Sequence, residues 1–535
     1  MFTQQLAPVA GSLGWSALVA TLPLLTVFVL LGVVRTKAWV AALTGLGVAL
    51  VVGISIYGMP VGQALSGAVQ GAVFGLFPIM WIVVNALWIY RMTVYTRHFD
   101  VLRRSFGQVS ADPRIQGLIV AFCFGALMEA LAGFGAPVAI CSVMLVALGF
   151  TPVRAAVVSL VANTAPVAFG AMGTPVITLA QVTGLPLDVV SSMVGRQTPI
   201  LALFVPLILV AIIDGRRGVR ETWVQALVCG VAFAIAQFAI SNYVAPELAD
   251  IGASLAGAGA LVLTLRTRVR VGSAGTSDVD TRVDSQPSDS REDVFKAYAP
   301  YGVIIVIFAL GQVPFIKSLL TKATWTFHWP FLDVHGSNGK AVSGNTFSLP
   351  LLNTGGTLVL IAGIITAAVL ALPWRVAIAE WGRTVYELRF AILTVTGVLA
   401  LAYVMNLSGQ TTTIGNFVAG AGALLAFFSP VLGWFGVAVS GSDTSANALF
   451  GALQVTAAGK TGLPPDLLAA ANSSGGVLGK MISPQNLTIA CVAAQLPGQE
   501  GMLLRKVLPW SAGLLLVMCV LVVLQSTAIL GWMVP

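Results

Sequence analysis

The sequence has little charge, few histidines and no paired cysteines. Of its 535 residues, 9% are Asp, Glu, Lys or Arg and 57% are apolar, whereas about a quarter of an average globular protein is charged. This composition excludes a soluble enzyme. The five cysteines all lie in apolar segments without close spacing, which indicates neither a disulfide framework nor a metal cluster. The three histidines lie in polar loops, so a histidine proton relay within a membrane is excluded.

What the sequence does have is a series of long apolar runs, each of which predicts a membrane helix when it reaches about 20 residues. The predicted spans are 15–34, 38–57, about 65–90, two helices in 116–150, two in 155–213, then 222–243, 251–265, 298–320, 357–373 and 507–530, with apolar pieces at 390–406, 414–428 and 431–440 that polar sequence interrupts. We therefore predict an all-α polytopic integral membrane protein with roughly 12 to 14 transmembrane helices, some of them broken or re-entrant.

The basic residues predict how the chain is oriented. Arg35 and Lys37 follow the first span, and residues 91–114 contain five arginines. Because short cytoplasmic loops are rich in Lys and Arg, both loops should be cytoplasmic and both chain termini extracytoplasmic. The net charge of +8 is explained by these loops, so no nucleic-acid partner is expected.

An internal repeat suggests four regions. The segment Thr-Gly-Leu-Pro-Leu-Asp at 183–188 recurs as Thr-Gly-Leu-Pro-Pro-Asp at 461–466, and polar interruptions at 163–166 and 442–445 precede the two copies at a similar distance. We predict N-terminal spans in 1–90, a first repeat in 91–265, a polar cytoplasmic linker in 266–297, and a second repeat in 298–535 with an extracytoplasmic loop at 321–355. Whether the repeats are parallel or inverted stays open.

Duplicated transporters bind their substrate near the bilayer midplane, on broken helices. Non-helical backbone at that depth is tolerated where it is buried in protein or lines a wet cavity, and the N-terminus of a half-helix attracts a carboxylate. The alternative is that Gly and Pro merely permit close packing and kinks. The breaks and their neighbourhood supply these candidate substrate-binding residues: Gly133, Gly135, Asn163, Thr164, Ser442, Thr444, Ser445 and Asn447.

Charged residues inside apolar sequence are the second signal. Glu129 and Asp443 are embedded carboxylates, each costing about 2.5 to 3.5 kcal/mol to insert, and both are candidates for proton coupling. Their alternative role is structural, as the partner of a cation or the cap of a half-helix. Arg196 and Lys480 are candidates to bind a substrate carboxylate, unless they reach the membrane surface. No catalytic or metal-binding set is found, so an enzyme is not expected.

Three segments resemble the lactate permease family, bacterial inner-membrane carriers of lactate and glycolate. They are Glu-Ala-Leu-Ala-Gly-Phe-Gly-Ala-Pro at 129–137, Ser-Gly-Ser-Asp-Thr-Ser-Ala-Asn at 440–447 and Ser-Pro-Gln-Asn at 483–486. The resemblance implies symport of a 2-hydroxymonocarboxylate (L-lactate, D-lactate or glycolate) with a proton, by a multi-pass protein of the bacterial cytoplasmic membrane that needs no cofactor beyond its coupling ion. The substrate carboxylate would lie near Asn163, Thr164, Ser442 and Thr444, and its hydroxyl near Asn447 or another amide.

The resemblance leaves alternatives. The paired breaks also look like those of the wider ion transporter superfamily, whose members often use sodium. A sodium-coupled carrier of another small organic anion is therefore the main alternative, and an anion channel a weaker one. Substrate preference and oligomeric state are not predicted.

Overall fold

The computed structural model describes residues 1–535 except 108, 109, 111, 132, 134, 267–288 and 338. The predicted linker at 266–297 therefore lies largely outside the described residues. The described chain is almost entirely helical, which confirms an all-α polytopic membrane protein.

The first half of the chain, up to Arg266, has α-helices with the following bounds: Leu13–Ala20, Leu22–Phe28, Ala38–Ser55, Val61–Phe74, Trp81–Tyr95, His98–Gly107, Pro113–Gly117, Gly125–Leu131, Ala136–Ala147, Pro152–Ala162, Gly170–Thr183, Leu187–Tyr243 and Ala249–Arg266. Short π segments (Val29–Val33, Gly75–Met80 and Leu118–Phe124) and short 3₁₀ turns (Val167–Phe169 and Pro246–Leu248) connect some of them.

The second half has these α-helices: Arg291–Gln312, Pro314–Thr321, Gly355–Val369, Trp374–Ser408, Gln410–Val418, Leu425–Ser440, Asp443–Thr461, Pro465–Gly479, Pro484–Ala493 and Glu500–Gln525. Its 3₁₀ turns are Ser343–Asn345, Ala419–Leu424, Lys480–Ile482 and Gly531–Met533.

Within the described residues, ten helical stretches are long and apolar enough to cross a membrane, or eleven if one bent pair is included. This is fewer than the 12 to 14 predicted, for two reasons. The stretch Leu187–Tyr243 counts once, although its 57 residues would span about 85 Å and its backbone leaves the helical conformation at Gly215. In addition, the apolar helices Ala136–Ala147 and Gly355–Val369 are shorter than a full span.

Two opposite faces of the molecule can be defined. The amino-terminal face holds strand Phe2–Thr3. The arginine face holds Arg91 and Arg114, and three long helical stretches lead from the amino-terminal strand to these two residues, so the two faces are opposite. Near the carboxyl terminus, the carbonyl oxygen of Met533 accepts a hydrogen bond from Arg196 on the amino-terminal face. Both described chain ends thus lie on the same face, and the extracytoplasmic position of that face stays a prediction.

The loop predicted at 321–355 contains β-structure. Thr324–His328 pairs with Thr346–Pro350 as an antiparallel hairpin. Val334–His335 pairs in parallel with the amino-terminal strand Phe2–Thr3, and the Met1 amine lies 3.2 Å from the Asp333 carboxylate. That amine and His335 both lower the pKa of the Asp333 carboxyl group. The contact with the amine therefore stabilises the amino-terminal strand at any pH at which Asp333 is ionised.

Each half of the molecule contains a helical hairpin. The first hairpin, residues 113–147, starts at Arg114 on the arginine face and turns at Gly133 and Gly135, both with positive φ. Its two arms pack together, since the Cys141 thiol lies 3.2 Å from the carbonyl oxygen of Val120. The second hairpin, residues 425–461, turns at Gly441, which also has positive φ. Its arms end on the amino-terminal face, so the two hairpins enter from opposite sides.

Each half also contains a broken helix that follows its hairpin. The first broken helix, residues 152–183, bends by 64° between Pro152–Ala162 and Val167–Thr183. The second, residues 465–493, is interrupted at Lys480–Ile482. It runs from the amino-terminal face toward the arginine face, opposite to the first. Hairpin and broken helix thus recur in inverted orientation, which resolves the question that the sequence left open.

The repeated Thr-Gly-Leu-Pro segment does not mark this symmetry. Thr183 ends a broken helix, whereas Thr461 ends a hairpin arm. These two helices run side by side in the same direction, since Asn447 bonds to Pro175 and Gly451 contacts Thr183. The pairing of the break at 163–166 with the one at 442–445 was therefore wrong. The break at 163–166 corresponds to Lys480–Ile482, and the turn at 133–135 corresponds to Gly441.

The apolar pattern does not predict three helices that the structure has between 443 and 493, because polar residues interrupt that pattern. Asn447, Gln454 and Asn472 on these helices are fully buried and bond to one another or to neighbouring backbone. A helix surrounded by protein does not need a continuous apolar surface, since its polar side chains find partners inside the fold.

Close packing of small residues holds this region together. A Cβ atom added at Gly475 would collide with the carbonyl oxygen of Pro430, and one added at Gly479 would collide with that of Trp434. Leu425–Ser440 and Pro465–Gly479 therefore touch through their backbones, an arrangement that favours helix association where lipid gives no hydrophobic driving force.

Replacing Gly475 by Ala should destabilise the protein by about 1 to 3 kcal/mol, because backbone atoms cannot move aside as a flexible side chain would. The measurement is the unfolding temperature in detergent. The matched control is Gly459→Ala, where an added Cβ meets nothing within 4 Å. Equal unfolding temperatures for the two variants would contradict the packing described above.

Candidate functional site

The centre of the molecule holds an ion pair that joins the two halves. The ammonium of Lys480 lies 2.6 Å from one carboxylate oxygen of Glu129, and the side-chain amide of Asn163 donates to the other oxygen at 2.9 Å. The Glu129 and Lys480 side chains are 3% and 8% exposed. The structure therefore brings together Glu129, near the turn of the first hairpin, with Asn163 and Lys480, at the breaks of the two broken helices.

The break in the second broken helix positions Lys480. Its carbonyl oxygen accepts bonds from the Ser483 hydroxyl at 2.9 Å and the Asn486 amide at 3.0 Å. Ser483 also caps the next helix by accepting from the backbone N–H of Asn486. Side chains thus replace the helical hydrogen bonds lost at the break.

Glycines at the hairpin turns allow close approach to this break. A Cβ at Gly135 would lie 3.2 Å from the side-chain oxygen of Asn486, and one at Gly441 would collide with Gln485. Gly133 lies against Ala171, in the turn after the first break. Both hairpin turns therefore meet the start of Pro484–Ala493, and the two predicted glycines act through backbone geometry.

A second buried carboxylate, Asp443, lies at the turn of the second hairpin. It accepts bonds from the Ser473 hydroxyl at 2.6 Å and the Asn447 amide at 3.4 Å. Its other oxygen has no hydrogen-bond partner among the described residues. Asp443 is thus held by neutral donors, whereas Glu129 is held by a cation.

The residues around Asp443 mostly shape the turn. Ser442 caps the helix by accepting from the backbone N–H of Ser445 at 3.2 Å, and Thr444 is half-buried beside it. Asn447 donates to the Pro175 carbonyl at 3.2 Å and accepts from Asn472 at 2.9 Å. The amide of Asn447 is therefore already used within the protein, which weakens its predicted role with a substrate hydroxyl.

The structure does not bring Arg196 into this cluster. Its guanidinium donates to Asn242 at 3.0 Å and to the carbonyl of Met533 at 2.8 Å. These partners lie on the amino-terminal face. Of the two predicted cations, Lys480 joins the buried site and Arg196 ties the carboxyl-terminal end of the chain to the bundle.

Sequence reasoning missed a third carboxylate, Asp250, which is 0% exposed. Gln237 donates to Asp250 at 3.0 Å and to the carbonyl of Ala165, in the first break, at 3.3 Å. Asp250 lies at the start of an apolar helix, where the sequence pattern predicts that an acidic residue caps the helix. Its depth depends on tertiary packing that the sequence pattern does not show.

Several buried oxygens at the first break have no hydrogen-bond partner among the described residues. They are the side-chain oxygen of Asn163, the hydroxyl of Thr164 and one oxygen of Asp250. Buried polar atoms in folded proteins are normally satisfied. These oxygens therefore mark a place where a polar ligand or water would gain hydrogen bonds.

A cavity of about 550 Å³ opens on the amino-terminal face above the site. Its wall includes Gln181, Glu247, Tyr403, Asn406 and Thr456. Gln181 and Thr456 belong to the helices that begin near the first break and at Asp443. Glu129, Lys480 and Asp443 are not part of the wall, so the charged site is closed off below the cavity.

Comparison with known proteins gives the family. The family model described as L-lactate permease matches residues 16–529. The chain is 41% identical to the L-lactate permease of Bacillus subtilis (strain 168) over all of both chains. It is 41% identical to the L-lactate permease of Escherichia coli (strain K12) over 98% of each chain, and 40% identical to the glycolate permease GlcA of the same strain over 100% of this chain and 99% of that one.

Among solved structures, the MtrF transporter of Neisseria gonorrhoeae has a similar fold. The TM-score is 0.50 at 13% identity, covering 93% of this chain and 97% of that one. The full-length family match and the sequence identities lead to one conclusion: the chain belongs to the L-lactate permease family.

Proposed function

We propose that this protein is a secondary active transporter of 2-hydroxymonocarboxylates such as lactate and glycolate. It works by symport with a proton across the cytoplasmic membrane of a bacterium. The names of its full-length relatives, L-lactate permease and glycolate permease, support the substrate class. The basic loops of the arginine face support a cytoplasmic position for that face.

The observation that carries the proposal is the ion pair between Lys480 and Glu129. In a low-dielectric site a lysine ammonium needs an anion beside it. The substrate carboxylate can take the place of Glu129 at Lys480 if Glu129 becomes neutral by binding a proton. One anion and one proton then enter together, and the net charge of the site is unchanged.

The unpartnered oxygens at the first break suit the rest of the substrate. The side-chain oxygen of Asn163 and the hydroxyl of Thr164 can bond the 2-hydroxyl group, which supports selection of a hydroxy acid over a plain carboxylate. Asp443 is the second proposed proton-binding group, because neutral donors hold it.

The inverted hairpins provide access from both sides. The substrate enters from the cavity on the amino-terminal face, which is then extracytoplasmic, and leaves past the first hairpin toward the arginine face. Movement of one repeat against the other would open the site to each side in turn.

The direct test is uptake of radiolabelled L-lactate by the purified protein in liposomes, in sodium-free buffer with an inward proton gradient. We expect accumulation above equilibrium that a protonophore abolishes, because the gradient supplies the driving force. Uptake that requires sodium would instead show that the coupling ion is wrong.

Glu129→Gln should reduce proton-driven accumulation at least tenfold while exchange of labelled for unlabelled lactate continues. The glutamine mimics protonated Glu129, so Lys480 can still bind substrate, but no proton is taken up or released. Net uptake and exchange are measured in the same liposomes. The control is Asp188→Asn, the same loss of charge at an exposed position. Wild-type accumulation by Glu129→Gln would exclude Glu129 as the coupling group.

A further inference from the structure

We propose that Asp250 relays the proton between Glu247, in the wall of the cavity, and Glu129, in the buried site. This inference rests on the proposed proton symport and names a route for the proton that is separate from the position of the substrate. Three carboxyl groups take part, of which Glu247 is half-buried and Asp250 and Glu129 are buried. Of these three, the proposed function uses only Glu129.

The outer end of the route is at the cavity. Glu247 is half-buried and forms part of the cavity wall. Its side chain packs against Gly355, with a carboxylate oxygen 3.0 Å from where a Cβ would lie. Water in the cavity can therefore deliver a proton to this carboxyl group.

The middle of the route is one helical turn away. Asp250 follows Glu247 by three residues, and side chains at this spacing are neighbours on a helix surface. Asp250 is fully buried, whereas Glu247 reaches the cavity. The helix start at 246–250 thus passes from the cavity wall into the interior.

The inner end of the route is the first break. Gln237 bonds both to Asp250 and to the carbonyl of Ala165. The turn at 170–173 lies between the acids, because Glu129 packs against Gly170, while the backbone of Pro246 and Glu247 packs against Gly173. Glu129 and Lys480 are also close enough to act electrostatically on Asp250.

Their hydrogen-bond partners distinguish the two buried carboxyl groups of the route, Glu129 and Asp250. Glu129 has a cation, Lys480, and an amide as partners. Asp250 has the neutral amide of Gln237 on one oxygen, and its other oxygen has no partner among the described residues. A buried carboxyl group without an ion pair favours its protonated form. In the proposed relay, Asp250 therefore starts with a proton and Glu129 receives one.

Only protons move along this route. Cavity water gives a proton to Glu247, Asp250 passes its own proton toward Glu129, and Glu247 reprotonates Asp250. Neutral Glu129 releases Lys480, which binds the substrate carboxylate. In this scheme each transfer runs through water between the carboxyl groups, and no covalent bond other than those to the moving proton changes.

The test compares wild type, Asp250→Asn and Glu247→Gln in liposomes that contain a pH-sensitive dye. For Asp250→Asn we expect lactate-driven proton uptake to slow at least tenfold, while exchange of labelled for unlabelled lactate stays within twofold of wild type. Glu247→Gln should show the same separation, with proton uptake slowed at least threefold. Asp188→Asn is the control for loss of an exposed carboxylate.

Two results would overturn the relay. One is proton uptake at the wild-type rate in either variant. The other is an equal loss of exchange and proton uptake in Asp250→Asn, which would indicate a structural role. Failure of the proposed function itself is distinguishable, because wild-type protein would then show no lactate-driven proton uptake at all.

Discussion

The candidate site is built around a buried ion pair between Glu129 and Lys480, which lie 351 positions apart in the chain. Removing two charges from water is expensive, and replacement of such a pair by apolar side chains often costs a protein nothing. A pair that only held the halves together would therefore be a poor choice. Under the proposed mechanism the pair is a place where one anion replaces another, since Lys480 would need an anion in every state.

The inverted hairpins and broken helices bring that pair to the centre. Each hairpin turns at a positive-φ glycine, and side chains satisfy backbone carbonyl groups at the breaks, Gln237 at the first and Ser483 with Asn486 at the second. The helices that face lipid are apolar along their exposed sides. Buried helices are either apolar too, as Pro113–Leu131 is, or contain satisfied amides and hydroxyls, as the helices between 443 and 493 do.

This division explains how far the sequence could predict the protein. Apolar runs predict the lipid-facing helices and the all-α class, and the isolated charge of Glu129 predicts a residue that the structure places in the buried ion pair. Residues 443–493 were missed as helices because their polar faces are satisfied by tertiary contacts. Arg196 and Lys480 looked equivalent, since only the fold decides that one reaches Glu129. Asp250 looked like a cap for the same reason.

The glycine contacts at Gly475 and Gly479 have a mechanical consequence. Two helices whose backbones touch cannot slide or rotate against each other without collision, so Leu425–Ser440 and Pro465–Gly479 form one rigid body. The boundary at which the molecule changes shape must then lie elsewhere. The contact of Gly135, in the first hairpin, with the side chains of Asn486 and Ile489, in the second broken helix, joins the two halves. Side chains can separate and re-form, so the two halves can part there.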